Sequence, residues 1–127
     1  MIYDYVYNER GYYMETSKQY KVKNIDASKV LKMEDEITYQ KGQVVSKTLV
    51  QNKNVSITLF SFDKGEEISS HDSDGDAIVT VLDGTGKFTV GEEIFILTKG
   101  ETLVMPNNVP HAVYGEEQFK MLLTVIF

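Results

Sequence analysis

The segments GEEISSH (residues 65–71) and PNNVPH (residues 106–111) hold His71 and His111, the only two histidines of the chain. Around them, short runs of β-branched and aromatic residues alternate with turn sequences rich in glycine and asparagine, which is typical of strands joined by tight turns. The predicted strands are Val44–Val50, Val55–Phe62, Ala77–Leu82, Lys87–Val90, Ile94–Thr98, Thr102–Met105, Ala112–Tyr114 and Lys120–Phe127. Strands of this number and spacing predict an all-β sandwich or barrel.

The histidines lie at characteristic distances from glycines and a proline: Gly65, for example, precedes His71 by six positions. In this spacing the chain resembles the cupin family, in its small form with a single barrel. The first cupin motif is matched by Gly65, His71 and Gly84, and the second by Gly100, Pro106 and His111. The resemblance covers residues 36–127. It implies a double-stranded β-helix, or jelly-roll barrel, in which the two histidines face each other.

The chain departs from the cupin motifs at the positions that complete the metal site. The family's second histidine falls on Ser73, its glutamate on Ala77, and its second-motif glycine and asparagine on Asn108 and Gly115. Neutral imidazoles suit iron, nickel or zinc, but a tight site needs three or four protein ligands. We therefore expect either a weakly held divalent metal (Fe, Mn, Ni or Zn) or no metal at all.

Asp76 is the candidate for a third ligand beside His71 and His111, because it lies next to the position of the missing glutamate. In a regular strand it would point to the face opposite Ala77, so the hypothesis requires a bulge or a loop at this point. A calcium loop starting at Asp72 is disfavoured, since Ala77 occupies the position that requires glycine.

Three functions are open at this point. The first is a small-molecule-binding barrel, and its pocket would be lined, beside the histidines, by Ser73, Ala77, Val79 and Val113; Ser73 shares a face with His71 if the strand continues. An interior filled by Phe88, Met105 and Met121 would exclude it. The alternative, implied by the resemblance, is a metal-dependent enzyme: a dioxygenase, an isomerase or a decarboxylase. The third is a structural homodimer whose barrel is only a core.

The chain divides into an N-terminal arm, residues 1–23, and the barrel domain, residues 24–127. Five tyrosines fall within the first 13 residues, where an edge strand or a dimer arm is one interpretation. The other is that Met14 is the biological start, since codons for Glu9-Arg10-Gly11 can resemble a bacterial ribosome-binding site. Asn24–Glu34 is predicted as a short helix, with Asp26 as its cap.

Composition excludes several classes of function. The chain has 127 residues and no cysteine, which excludes disulfide and thiolate chemistry, and its net charge of −6 with no basic cluster disfavours nucleic-acid binding. No apolar run approaches the length of a membrane span, and the first residues lack the apolar block of a signal peptide. We expect a cytoplasmic protein that forms a homodimer.

Overall fold

The computed structural model describes residues 21–127 and, before them, the backbone of two paired strands. These are β1 (Asp4–Tyr7) and β2 (Tyr13–Ser17), which form an antiparallel hairpin. The interpretation of the tyrosines as a dimer arm lies outside the described residues. The use of Met14 as the start stays a prediction.

The remainder is an antiparallel β-structure, which confirms the predicted all-β class. The strand order is β3-β4-β9-β6-β7, with β5 paired to β9 and β8 paired to β6. Within the described residues no helix is long and apolar enough to cross a membrane. The strands are β3 (Val44–Gln51), β4 (Val55–Phe62), β5 (Glu67–His71), β6 (Asp76–Val90), β7 (Glu93–Thr98), β8 (Thr102–Met105) and β9 (His111–Ile126).

Two long strands, β6 and β9, form the centre of the barrel and pair with each other along most of their length. The first half of β6 also pairs with β8 and its second half with β7, while β9 pairs first with β5 and then with β4. Each long strand was predicted as two strands, and for β6 the reason was that Gly84 and Gly86 indicate a turn. The structure instead places register shifts there, so the strands bend without ending.

The interior of the barrel is closely packed. The rings of Phe62 and Phe119 stack with centroids 4.6 Å apart, and Phe88 meets Phe119 edge-on at 5.9 Å. Burial of each such side chain stabilises the fold by roughly 1.5–3 kcal/mol. The buried core residues are Phe62, Ala77, Val79, Val81, Phe88, Leu97, Met105, Val113, Phe119 and Met121.

The helix predicted at Asn24–Glu34 is wrong: a single 3-10 turn, Met33–Glu36, is the only helical element in residues 21–127. Lys23 donates its backbone N–H to Leu49 on the edge of β3, and the Asn24 side chain donates to the carbonyl of Thr48. Asn24 has a φ of 67°, which a right-handed helix excludes. Pairing with a sheet edge thus overrides the local helical pattern, and Asp26 forms an ion pair with Lys29.

Candidate functional site

The structure brings together the two histidines that the sequence singled out. His71 is the last residue of β5 and His111 the first of β9, and the two lie opposite each other in the antiparallel pair. Their ring centroids are 4.4 Å apart, with an interplanar angle of 65°. His111 is buried, whereas His71 is exposed. The pair therefore lies at the end of the barrel, with one ring in the protein and the other in contact with solvent.

Backbone carbonyls fix the orientation of both rings. Nδ1 of His71 is 3.0 Å from the carbonyl oxygen of Ser69, and Nδ1 of His111 is 3.4 Å from that of Val109. A carbonyl oxygen can only accept, so Nδ1 carries the proton in each neutral ring. Nε2 then keeps its lone pair, as it does in histidines that bind metals.

The surroundings keep His111 neutral. Burial lowers the pKa of His111 below its ordinary value, and the neighbouring His71 lowers it further. The carbonyl of Val109 and the charge of Asp72 act in the opposite direction. At neutral pH the His111 imidazole is therefore unprotonated at Nε2 and able to act as a donor to a cation.

Ser73 does not extend the strand of His71 as predicted. Strand β5 ends at His71, and residues 72–75 form a loop. The Ser73 hydroxyl donates to the carbonyl of Gly75 at 3.1 Å and accepts from its N–H at 3.3 Å. Because the strand ends at His71, Ser73 does not share a strand face with it. The Ser73 side chain instead stabilises the turn at Gly75.

Asp76 does not complete a metal site. It lies in regular register opposite Ile126, without the bulge that the hypothesis required. Its carboxylate accepts the backbone N–H of Asn107 at 2.9 Å and so holds the loop before His111. In the part of the chain that the structure describes, no group of three or more His, Cys, Asp or Glu side chains is placed to hold a metal ion. The predicted set of His71, His111 and Asp76 is thus reduced to its two histidines.

The predicted pocket residues Ala77, Val79 and Val113 lie in the core. They are 1%, 0% and 3% exposed and belong to the same buried cluster as Phe88, Met105 and Met121. Ala77 lies directly opposite Met105 in the β6–β8 pair. The large side chains named above as excluding a ligand therefore share the interior with these three residues, and a binding pocket around them stays a prediction.

The two histidines fit a weakly held ion better than a resident one. Their two Nε2 atoms are the nitrogen donors, and the negative charge of Asp72 acts on His111. A structural zinc site has four protein ligands and a catalytic one has three. Two donors leave at least two positions to water or to another ligand, so they do not fix the coordination geometry of a catalytic metal.

Sequence reasoning missed a polar cleft at the bend of the long strands. Tyr39 donates to the carboxylate of Asp83, and burial together with this bond raises the pKa of Tyr39 well above its usual range. Asp63 accepts from the N–H of Gly42 and the amide of Gln118, which lowers the pKa of its carboxyl. The cleft has a volume of about 470 Å³ and is lined by Tyr39, Asp63, Lys64, Asp83, Glu117 and Gln118. No sequence pattern marks these residues, because they come from segments that are far apart in the chain.

Comparison with known proteins identifies the family. The sequence model of the cupin domain family matches residues 58–127, which include both histidines. The chain belongs to the cupin family. A conserved protein of unknown function from Streptococcus pyogenes is 45% identical to this cupin, with a TM-score of 0.81 over 83% of this chain and 92% of that one. A cupin superfamily protein from Desulfitobacterium hafniense is 31% identical, with a TM-score of 0.80 over 84% and 97% of the two chains.

A more distant likeness concerns an enzyme. A salicylate 1,2-dioxygenase from Pseudoaminobacter salicylatoxidans is 22% identical, with a TM-score of 0.62 over 74% of this cupin and 28% of the dioxygenase. At this identity the likeness shows the shared fold alone. No curated protein matches the chain significantly.

Proposed function

We propose that this cupin binds a divalent transition metal weakly through Nε2 of His71 and His111, and that the open metal positions accept a small ligand at the end of the barrel. The observation that carries the proposal is the ring pair itself: centroids 4.4 Å apart, with each Nδ1 directed at a backbone carbonyl. With both Nδ1 atoms engaged in this way, the Nε2 lone pair of each ring is left to bind one shared cation.

The packed interior determines where the small ligand would lie. Because Ala77, Val79 and Val113 are buried against other side chains, the ligand would contact the exposed ring of His71 and not the barrel core. A ligand with a carboxylate or hydroxyl oxygen would supply the further donor atoms that the two histidines do not provide to the metal.

The alternative of a metal-dependent enzyme has less support. Two histidines and one carboxylate would form a minimal catalytic site. Within the described residues the carboxylate is missing, since Asp76 is bonded to Asn107. No observation on this chain favours a dioxygenase, isomerase or decarboxylase over a binding function.

Calorimetric titration of the untagged protein with Ni²⁺ and with Zn²⁺ tests the proposal. We expect weak binding near one ion per chain, and a loss of affinity of about tenfold or more in both His71→Ala and His111→Ala. Asp76→Asn is the matched control and should bind like the wild type. Absence of binding to the wild type, or an affinity equal to that of the wild type in both alanine variants, would refute the proposal.

Ligand binding can be followed separately with Co²⁺ as the probe. Adding malonate to the Co²⁺-loaded protein should change the visible spectrum if open positions accept a carboxylate. The spectrum of a protein whose metal is already fully coordinated would not change, and that result would reject the ligand part of the proposal alone.

A further inference from the structure

The chain contains two Asp-Gly bonds, Asp74-Gly75 and Asp83-Gly84, and the structure places them in opposite settings. An aspartate followed by glycine is prone to rearrange, because glycine has no side chain to hinder attack by its own amide nitrogen on the preceding carboxyl group. The first bond lies in the loop between β5 and β6, and the second lies within β6. The two settings therefore determine which bond can react in the folded protein.

The setting of Asp74 permits the reaction. Its side chain is exposed, and its carboxylate forms no hydrogen bond or ion pair with residues 21–127. The N–H of Gly75 donates to the Ser73 hydroxyl at 3.3 Å, longer than the usual range of about 2.7–3.2 Å, so this amide is only weakly held. No strand pairing holds the bond, since β5 ends at His71 and β6 begins at Asp76.

Packing requires glycine after Asp74. A Cβ on Gly75 would lie 2.4 Å from the carbonyl oxygen of Ile126, closer than real Cβ atoms approach a neighbour. Any other residue would therefore push the end of β9 away from the loop. The reactive dipeptide is thus a consequence of the close approach of two backbones, while the carboxylate that reacts stays on the surface.

The setting of Asp83 prevents the reaction. Asp83 is half-buried and lies opposite Lys120 in the β6–β9 pair, and its carboxylate accepts the hydrogen bond of the Tyr39 hydroxyl. Gly84 lies opposite Phe119 in the same pair. For the carboxyl group of Asp83 to reach the nitrogen of Gly84, this part of β6 would have to open, and opening of a central strand is rare.

We propose that Asp74 is a site of isoaspartate formation in the folded protein and that Asp83 is protected. The amide nitrogen of Gly75 attacks Cγ of the protonated Asp74 carboxyl group; the N–Cγ bond forms, the Cγ–OH bond breaks, and the hydroxyl leaves as water with the amide proton. Water then opens the resulting succinimide. Breaking the new N–Cγ bond restores aspartate, whereas breaking the bond from nitrogen to the α-carbonyl carbon leaves the backbone running through Cβ and Cγ. The reaction needs no oxidant, reductant or cofactor.

The product lengthens a loop that holds a second loop in place. Isoaspartate adds one methylene group to the backbone at position 74. On either side of this position, the carbonyl of Ser73 accepts the N–H of Asn108 at 3.2 Å and the carboxylate of Asp76 accepts the N–H of Asn107 at 2.9 Å. We expect the longer loop to break the bond to Asn108. Because these bonds hold the chain just before His111, the change would also weaken the metal binding proposed above, but isoaspartate formation itself does not depend on that binding.

Ageing of the purified protein at neutral pH tests the site. A protein-isoaspartate methyltransferase quantifies the product, and mass spectrometry of proteolytic peptides with electron-based fragmentation locates it. Since Asp83 can react only when β6 opens, isoaspartate should form at least about tenfold faster at Asp74 than at Asp83. In concentrated urea the two positions should react at similar rates, because the fold no longer distinguishes them. Equal rates in the folded protein, or rearrangement of Asp74 only in urea, would overturn the proposal.

Hydrogen exchange tests the effect on the second loop. In the aged protein the N–H groups of residues 107–108 should exchange faster than in fresh protein. The N–H of Gly91, which donates to the carbonyl of Pro110 at 2.8 Å, is the internal control and should not change. Asp74→Glu keeps the charge but cannot form isoaspartate, so after the same ageing its exchange should be unchanged. Equally fast exchange in aged Asp74→Glu, or unchanged exchange in protein shown to contain isoaspartate, would contradict the effect on this loop.

Discussion

Gly84, at the bend of the two long strands, should be one of the least replaceable residues of this cupin. Its φ is +73°, and a Cβ built on it would lie 1.7 Å from the carbonyl oxygen of Gln118. Alanine at this position would require the backbones of β6 and of β9 at Gln118 to separate by more than about 1 Å, since real Cβ atoms stay at least 3.0 Å from their neighbours. The bend allows β6 to pair with β8 on one side and β7 on the other, so the shift would affect both halves of the barrel.

The magnitude follows from two contributions. The left-handed conformation costs an alanine about 1 kcal/mol, and forcing a methyl group into a packed site adds about 1–3 kcal/mol. Gly84→Ala should therefore lower the free energy of unfolding by roughly 3 kcal/mol. With a urea m-value of about 1.5 kcal/mol/M, the midpoint should fall by about 2 M.

Gly100→Ala provides the matched control. Gly100 also has a positive φ, +88°, but no atom lies within 4 Å of the position that its Cβ would take. This variant should lose only the conformational contribution, about 1 kcal/mol. Urea unfolding followed by far-ultraviolet circular dichroism measures both variants. If the two lose the same stability within about 0.5 kcal/mol, the contact with Gln118 is unimportant and the reasoning about the bend is wrong.

Two further predictions concern burial. The pKa of His111 is lowered in the folded state, so between that pKa and the ordinary value near 6.5 the unfolded chain binds more protons. Stability should thus fall as the pH drops below about 6.5; urea unfolding at several pH values checks this, and His111→Gln should lose that pH dependence. Ser61 is fully buried and its hydroxyl donates to the carbonyl of Thr38 at 2.8 Å, so Ser61→Ala should cost about 1–2 kcal/mol in the same assay; an unchanged midpoint would mean that the bond does not hold the N-terminal segment to β4.

The sequence predicted those parts of the fold that depend on local patterns. Strands β3, β4, β7 and β8 lie within one residue of the predicted ranges, because alternation and turn residues are local signals. The helix at Asn24–Glu34 was wrong, since the edge of β3 captures that segment, and no local pattern shows where a free edge will lie. Strand β5 was missed because GEEISSH is polar and its ladder partner, β9, is distant in sequence.

The site was predictable to the extent that it depends on motif spacing. Spacing brought His71 and His111 together, but it could not show how full the interior is. How completely the interior is filled depends on the volumes of side chains from several strands, such as Phe88, Met105 and Met121. The spacing of a motif carries no information about these volumes. Asp76 was predicted as a third metal ligand, but its carboxylate accepts the backbone N–H of a residue in the loop before His111. No sequence pattern links Asp76 to that loop.

Alanine at position 77, where the cupin motif has a glutamate, fits the apolar interior of this barrel. A carboxylate at position 77 would need a cation or water beside it, since an unpaired buried charge is strongly destabilising. Alanine needs neither, and its register partner Met105 is 1% exposed. The interior can then act as an apolar core, and the two histidines lie at its end, where His71 is open to solvent. In the function proposed above, binding is therefore confined to the end of the barrel, where His71 lies.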